Sequence, residues 1–276
     1  MTSWLAGILG GGLLLTVLGG ILGWLMPVAL PAIPPGVAAW AFASNLLIAA
    51  VLTALAVRSR WTGWRLAAAL FLVLFMVKSF TSLIEAAFFG LFFDRATALS
   101  LLGHELLIAL VTAPALVALT GRMRPRPGTD EAVMAPVPRP VAKFAACSAL
   151  YLVLYFAFGM IIYPYVHEFY DQKVLPGPLA IIAMQLFVRG PIFVAIVLLV
   201  VRMVRGTPAT RALHAALVMS VIGGVAPLMV PNPFMPDAVR FVHFFEVVIE
   251  NFIFGWVTGW LFAPRPSVPK RLATAA

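Results

Sequence analysis

The chain has 276 residues, of which 63% are hydrophobic and 11% charged, with a formal net charge of +9 and a mean hydropathy of +1.04. A water-soluble domain of this size must cover its exterior with polar groups, so the composition excludes one, whereas lipid solvates an apolar exterior. The basic charge does not point to nucleic acid, because its placement follows membrane crossings.

Eight apolar runs approach the roughly 20 residues needed to span a bilayer, over 4–26, 38–57, 66–93, 97–120, 144–163, 179–201, 212–230 and 241–262. The expected fold is all-α, a polytopic integral membrane bundle of about eight transmembrane helices in one domain over residues 1–276. The first run lacks a basic leader and is long enough to span, so it reads as a helix and not as a cleaved signal. Its stripe of Gly12, Thr16 and Gly20 suits close packing within the bundle. Arg58, Arg60 and Arg65 come after the second run.

On the third run, Lys78, Thr81 or Ser82, and Glu85 recur at steps of three or four, which places them on one helix face. The fourth carries the adjacent His104 and Glu105, with Pro114 read as a static kink. A Pro- and Arg-rich linker, 121–143, divides the chain into four helices and four helices. It holds Arg122, Arg124, Arg126, Arg139 and Lys143 with the only cytoplasmic acids, Asp130 and Glu131, and reads as a flexible tether. Beyond the fifth run, His167, Glu168 and Asp171 read as a solvated outer loop. Cys147 is the only cysteine, so neither an intrachain disulfide nor a cysteine metal site can form.

The sixth run carries Gln185 and Arg189, and Gly190-Pro191 interrupts it near its middle. Proline lacks an amide donor and clashes with the preceding turn. The expectation is a half-helix whose positive N-terminal end, beside Arg189, makes an anion site. Arg202, Arg205 and Arg211 come next. On the seventh run His214 is expected among headgroups, and Gly223, Gly224 and Pro227 are read as kinks. The eighth run places His243, Glu246 and Glu250 on one face and adds a packing stripe of Gly255 and Gly259. A basic tail, 263–276, closes the chain with Arg265, Lys270 and Arg271.

Of the 19 Lys and Arg residues, 14 fall in these four clusters, at every second crossing. That is the positive-inside pattern, which puts both termini in the cytoplasm. Trp4, Trp61, Trp64, Trp256 and Trp260 map near the inner surface and Trp24 and Trp40 near the outer one, as indole's headgroup preference requires. The expected location is the bacterial cytoplasmic (inner) membrane, multi-pass. An internal repeat is not established: one local likeness implies parallel halves and another, of residues 84–90 with 249–255, implies inverted ones.

Hydrocarbon does not solvate ionised side chains, so the polar stripes are expected to converge on a cavity among the third, fourth, sixth and eighth helices, nearer the outer surface. Arg189, Gln185 and Lys78 are the candidate substrate-binding residues. Glu85, Glu105, Glu246, Glu250, His104 and His243 are the candidate proton- or ion-coupling residues. Four interior Glu face one Lys and one Arg, so two ion pairs would leave two carboxylates beside two His. Fixed bridges that only lock the bundle are the structural alternative. His243, Glu246, Glu250, His104 and Glu105 offer nitrogen and oxygen ligands. Ile108 stands where a zinc-protease motif needs its second His, and neither a metal nor another cofactor is expected.

The leading expectation is a small proton- or ion-coupled secondary transporter or permease. A membrane-embedded enzyme acting on a lipid or lipid-linked substrate, with metal dependence open, is one alternative. In it, His243 or His104 would serve as base or metal ligand. A non-catalytic assembly or sensing subunit is the other. The expected partners are membrane lipids and a small-molecule or ion substrate, with homo-oligomerisation or a membrane partner left open.

Overall fold

The computed structural model describes residues 2–26, 36–90, 95–124, 140–232 and 235–264. Most of the 121–143 linker, with Arg126, Asp130, Glu131 and Arg139, and the tail from Arg265 onward lie outside the described residues. Among the described residues, eight helices are long and apolar enough to cross a bilayer. They are α1 (Thr2–Leu25), α2 (Val37–Arg58), α3 (Gly63–Phe88), α4 (Ala96–Leu119), α5 (Val141–Tyr170), α6 (Pro178–Met203), α7 (Pro208–Met229) and α8 (Asp237–Phe262). The chain is an all-α, multi-pass membrane bundle.

Helix ends are tied together at one face of the bundle, here termed the basic end. Gly63 N donates to Arg122 O at 2.9 Å, Arg60 N to Met203 O at 2.8 Å and Arg205 N to Arg58 O at 2.9 Å. A single antiparallel bridge between Ser59 and Val204 fastens the α2–α3 and α6–α7 connections side by side. Lys143 Nζ donates to Leu261 O at 3.2 Å, which adds the start of α5 and the finish of α8 to the same end. Gly206, at φ +120°, makes the sharp turn into α7, a conformation that side chains with a Cβ rarely adopt.

Burial sorts the helices. The apolar windows of α6 and α7 are 56% buried and those of α1 and α5 only 22%, so α6 and α7 are interior while α1 and α5 border lipid. Small residues set the tightest approach. A Cβ on Gly255 would lie 2.7 Å from Ala216 Cα, and one on Gly259 would lie 2.9 Å from Ala212 Cα, so α7 and α8 meet backbone to backbone. On α1, a Cβ on Gly12 would meet Leu46 at 2.6 Å, and Thr16 accepts a hydrogen bond from Asn45 at 3.0 Å. Gly20 has open space around it. The first stripe therefore packs on α2 through only part of its length.

Among the described residues, four helices carry π-helical turns: Ala6–Gly10 in α1, Phe75–Phe80 in α3, Gln185–Arg189 in α6 and Val218–Val225 in α7. The turn in α6 corrects one expectation. The Arg189-Gly190-Pro191 sequence does not break α6, and no half-helix begins there. The chain widens by one residue, so that Gly190 N–H bonds to Gln185 O five positions back, and the helix runs on with Pro191 in its first α turn. The wider turn absorbs the donor that proline lacks. Gly190 itself is needed for proximity, because a Cβ there would stand 3.0 Å from Ser148 O on α5. Pro114 and Pro164 likewise lie inside continuous helices.

A second correction concerns α5, which continues past Pro164 to Tyr170, so His167 and Glu168 are helical and not part of a loop. Val166 is 3% exposed and Tyr170 docks on α8, and this packing extends the helix. His214 is also corrected. Its side chain, expected to meet headgroups, is instead covered by protein at 8% exposure, with Nδ1 2.7 Å from Thr210 O.

Candidate functional site

Arg189 lies at the π turn of α6, where α3 and α5 pack against it. Its Nη1 donates to Glu85 Oε1 of α3 at 2.5 Å and, more weakly, to Gln185 Oε1 at 3.4 Å. The guanidinium carbon stands 5.3 Å from the Phe193 ring centre and 5.6 Å from that of Tyr151, so two ring faces supplement the ion pair. Arg189 Nε and Gln185 Nε2 are buried without hydrogen-bond partners. Those two donors are capacity that the protein leaves unused at this site.

On α8, the three candidate residues form a ladder. His243 Nε2 is 2.7 Å from the Tyr170 hydroxyl, and His243 Nδ1 is 2.5 Å from Glu246 Oε2. One helical turn further toward the basic end is Glu250, 3% exposed, whose Oε1 accepts no hydrogen bond. Its electrostatic neighbours are Glu246, Arg189 and Glu85, so the ladder leads to the Arg189 pair. Tyr155 of α5 interacts electrostatically with Glu85, Arg189 and Glu246. The helical rise from His243 to Glu250 is about 10 Å.

Lys78 belongs to a different arrangement. Its Nζ lies 2.5 Å from Glu105 Oε2 on α4, and Ser79 Oγ donates to the same oxygen at 2.8 Å. His104 is buried beside them with Nε2 unpartnered. The electrostatic neighbours of Glu105 are Lys78 and His104, not Arg189. The expectation that Lys78 and Glu85 share one face is thus corrected. Lys78 lies within the π turn at Phe75–Phe80, whose wider winding shifts the helical phase between Lys78 and Glu85. Lys78 then meets α4 and Glu85 meets α6.

The structure therefore brings together Arg189, Gln185, Glu85, Glu246, Glu250 and His243, and it sets Lys78, Glu105 and His104 apart. Helix α5 joins the first group, which its sequence does not announce. Tyr151, Tyr155 and Tyr170 carry no charge at neutral pH and so escape a search for ionised groups. Their signal is spacing: Tyr151 and Tyr155 are four apart on a helix, and a buried phenol wants a polar partner.

Toward the basic end the site is closed. Tyr151, Phe193 and Phe254 are each at most 2% exposed. Their ring centres stand 5.0 Å (Tyr151–Phe193), 5.3 Å (Tyr151–Phe254) and 6.3 Å (Phe193–Phe254) apart. Phe193 comes one turn of α6 after Arg189, and Phe254 one turn of α8 after Glu250, so the aromatic cluster lies directly beneath both. In the other direction, the side chain of Glu85 retains 28% exposure. A groove of about 470 Å³ is lined by Pro164, Val166, His167, Gln172, Pro236 and Val239, of which Val166 and Val239 lie one helical turn from Tyr170 and His243. No three His, Cys, Asp or Glu side chains among the described residues are grouped to hold a metal ion. No known protein family, curated protein or solved structure shows significant similarity to the chain.

Proposed function

We propose that the protein is a proton-coupled secondary transporter of a small anionic or zwitterionic solute, with Arg189 anchoring the solute and Glu250 carrying the proton. The observation that supports this most directly is the buried Glu250, whose Oε1 accepts no hydrogen bond, within the field of an arginine that has its own carboxylate partner. A carboxylate placed there can exchange a proton as the charges around it change. The Tyr170–His243–Glu246 chain supplies donor and acceptor atoms in series from the end opposite the basic one.

The exchange follows from competition. A solute carboxylate or phosphate approaching Arg189 can engage the guanidinium fork in a bidentate pair, whereas Glu85 holds it through Nη1 alone and Nε is left unpartnered. When it displaces Glu85, the side chains gain an unpaired carboxylate, and protonation of Glu85 or Glu250 restores neutrality. Solute and proton are then bound together or not at all. The Tyr151–Phe193–Phe254 seal corresponds to a conformation open away from the basic end, and rearrangement of that cluster would complete alternating access.

The test is flux in proteoliposomes loaded with a pH dye, challenged with a panel of carboxylates, amino acids and organic phosphates. The expected result is solute-dependent proton uptake, abolished in Glu250→Gln and reduced at least tenfold in Arg189→Gln. Wild-type flux in both variants would overturn the assignment.

A second reading rests on one specific geometry. A hydroxyl, an imidazole and a carboxylate in series, as in Tyr170–His243–Glu246, also form the arrangement of a base-activated nucleophile. On that reading the protein is an enzyme acting on a lipid-linked substrate in the groove beside Tyr170. Its mark would be covalent labelling of Tyr170 by an acylating or phosphorylating lipid analogue, lost on His243→Ala.

A further inference from the structure

At the basic end, Arg60 stands in the fields of two other arginines. Arg60 interacts with Arg205 and Arg211 interacts with Arg60, because the Ser59–Val204 bridge draws the two connections together. Arg211 is 9% exposed, yet its Nε and Nη1 have no hydrogen-bond partner, and neither does Arg60 Nε. Burial, and then the charge of Arg205, lower the pKa of Arg60 below the ordinary guanidinium value. The described carboxylates (Glu85, Glu105, Glu168, Asp171, Asp237, Glu246 and Glu250) lie at mid-helix or toward the opposite end. Buried like charges repel and unmet donors are desolvated without return, and an anion relieves both terms.

We infer that Arg60, Arg205 and Arg211 form a binding site for a phosphate group at the basic end of the bundle. Neighbouring guanidinium forks with unmet donors suit a tetrahedral oxyanion with many acceptor lone pairs better than a single halide. Two sources share this chemistry, the headgroup of an anionic phospholipid and free phosphate. The surroundings favour the lipid. A groove of about 380 Å³ is lined by Trp4, Val57, Arg58, Arg205 and Gly206, so Arg205 joins it to the cluster, and indole marks headgroup depth. From Trp4 the exposed side chains of Leu5, Leu9 and Leu13 on α1 continue as an apolar track for an acyl chain.

The site is tested by thermal unfolding of the full-length protein in a neutral detergent, titrated separately with phosphatidylglycerol, phosphatidylcholine and sodium phosphate at matched ionic strength. Phosphatidylglycerol is expected to raise Tm by several degrees where phosphatidylcholine does not, and native mass spectrometry should count the retained lipid. Arg60→Gln and the exposed Arg205→Gln should each weaken the half-effective concentration at least tenfold, while Arg65→Gln, outside the cluster, should leave it unchanged. A response to sodium phosphate equal to that of the lipid would keep the site and assign it to the free ion. No response to either anion, or full response in both Arg60→Gln and Arg205→Gln, would overturn it. Arg211→Gln tests the buried member, and the two other variants decide the matter should it fail to fold.

Discussion

Arg189 and Glu85 show how a buried charge constrains its partner. Removing one member of a buried pair leaves the other uncompensated, generally a loss of about 3–5 kcal/mol, and the residual exposure of Glu85 places this pair toward the lower end. Glu85→Gln and Arg189→Gln are each expected to lower Tm in detergent, and the double variant to recover part of the loss. Strict additivity would show that the two are not coupled. Glu250→Gln should behave differently. The amide matches the carboxyl in shape and removes the proton site of the proposed mechanism, so Tm should be retained while the proposed proton-coupled flux disappears. Counting charges in the sequence shows that two interior carboxylates exceed the available cations. Only the three-dimensional packing singles out Glu250, since Glu246 takes His243 as its partner.

Among the elements, the π turns decide which residues meet. Hydropathy reports length and average polarity, so the eight helices are legible in the sequence to within a few residues at most ends. A one-residue change of helical phase leaves no trace in hydropathy, which is why regular helical spacing puts Lys78 and Glu85 on a face they do not share. Deleting Phe80 should return α3 to a regular α-helix and turn Glu85 by about 100° away from Arg189. Helix content by circular dichroism should stay the same and solute-dependent flux should fall as in Glu85→Gln, whereas normal flux would show that the π turn does not set the pairing. The glycine stripes make a similar point. Gly20 and Gly255 look alike in sequence, but one faces open space and the other faces the backbone of Ala216. Gly255→Leu should lower stability by about 1–3 kcal/mol, since it forces helices apart, and Gly20→Leu should be neutral in the same unfolding assay.

For the whole molecule, the separation of charge predicts orientation. The described acids lie at mid-helix or toward one end of the bundle, and the ties of the opposite, basic end carry Arg58, Arg60, Arg122 and Arg205. With Cys147 replaced by Ala, an impermeant maleimide should label Asp171→Cys in intact cells and Thr207→Cys only after the membrane is opened. The reverse pattern would invert the topology. Sequence reaches this arrangement because insertion reads local charge near helix ends, a property of short segments. It does not reach the contribution of α5, which depends on how a mostly lipid-facing helix is rotated against its neighbours.

Glu250 also sits near the midpoint of α8, 13 residues from Asp237 and 12 from Phe262. A proton reaching it from either side crosses about half of the electric field across the membrane, work of about 1.1 kcal/mol per 100 mV. On the proposed transport function, turnover should therefore respond to voltage even with no difference in pH. Clamping the potential with potassium and valinomycin should shift the proton concentration for half-maximal uptake about sixfold per 100 mV.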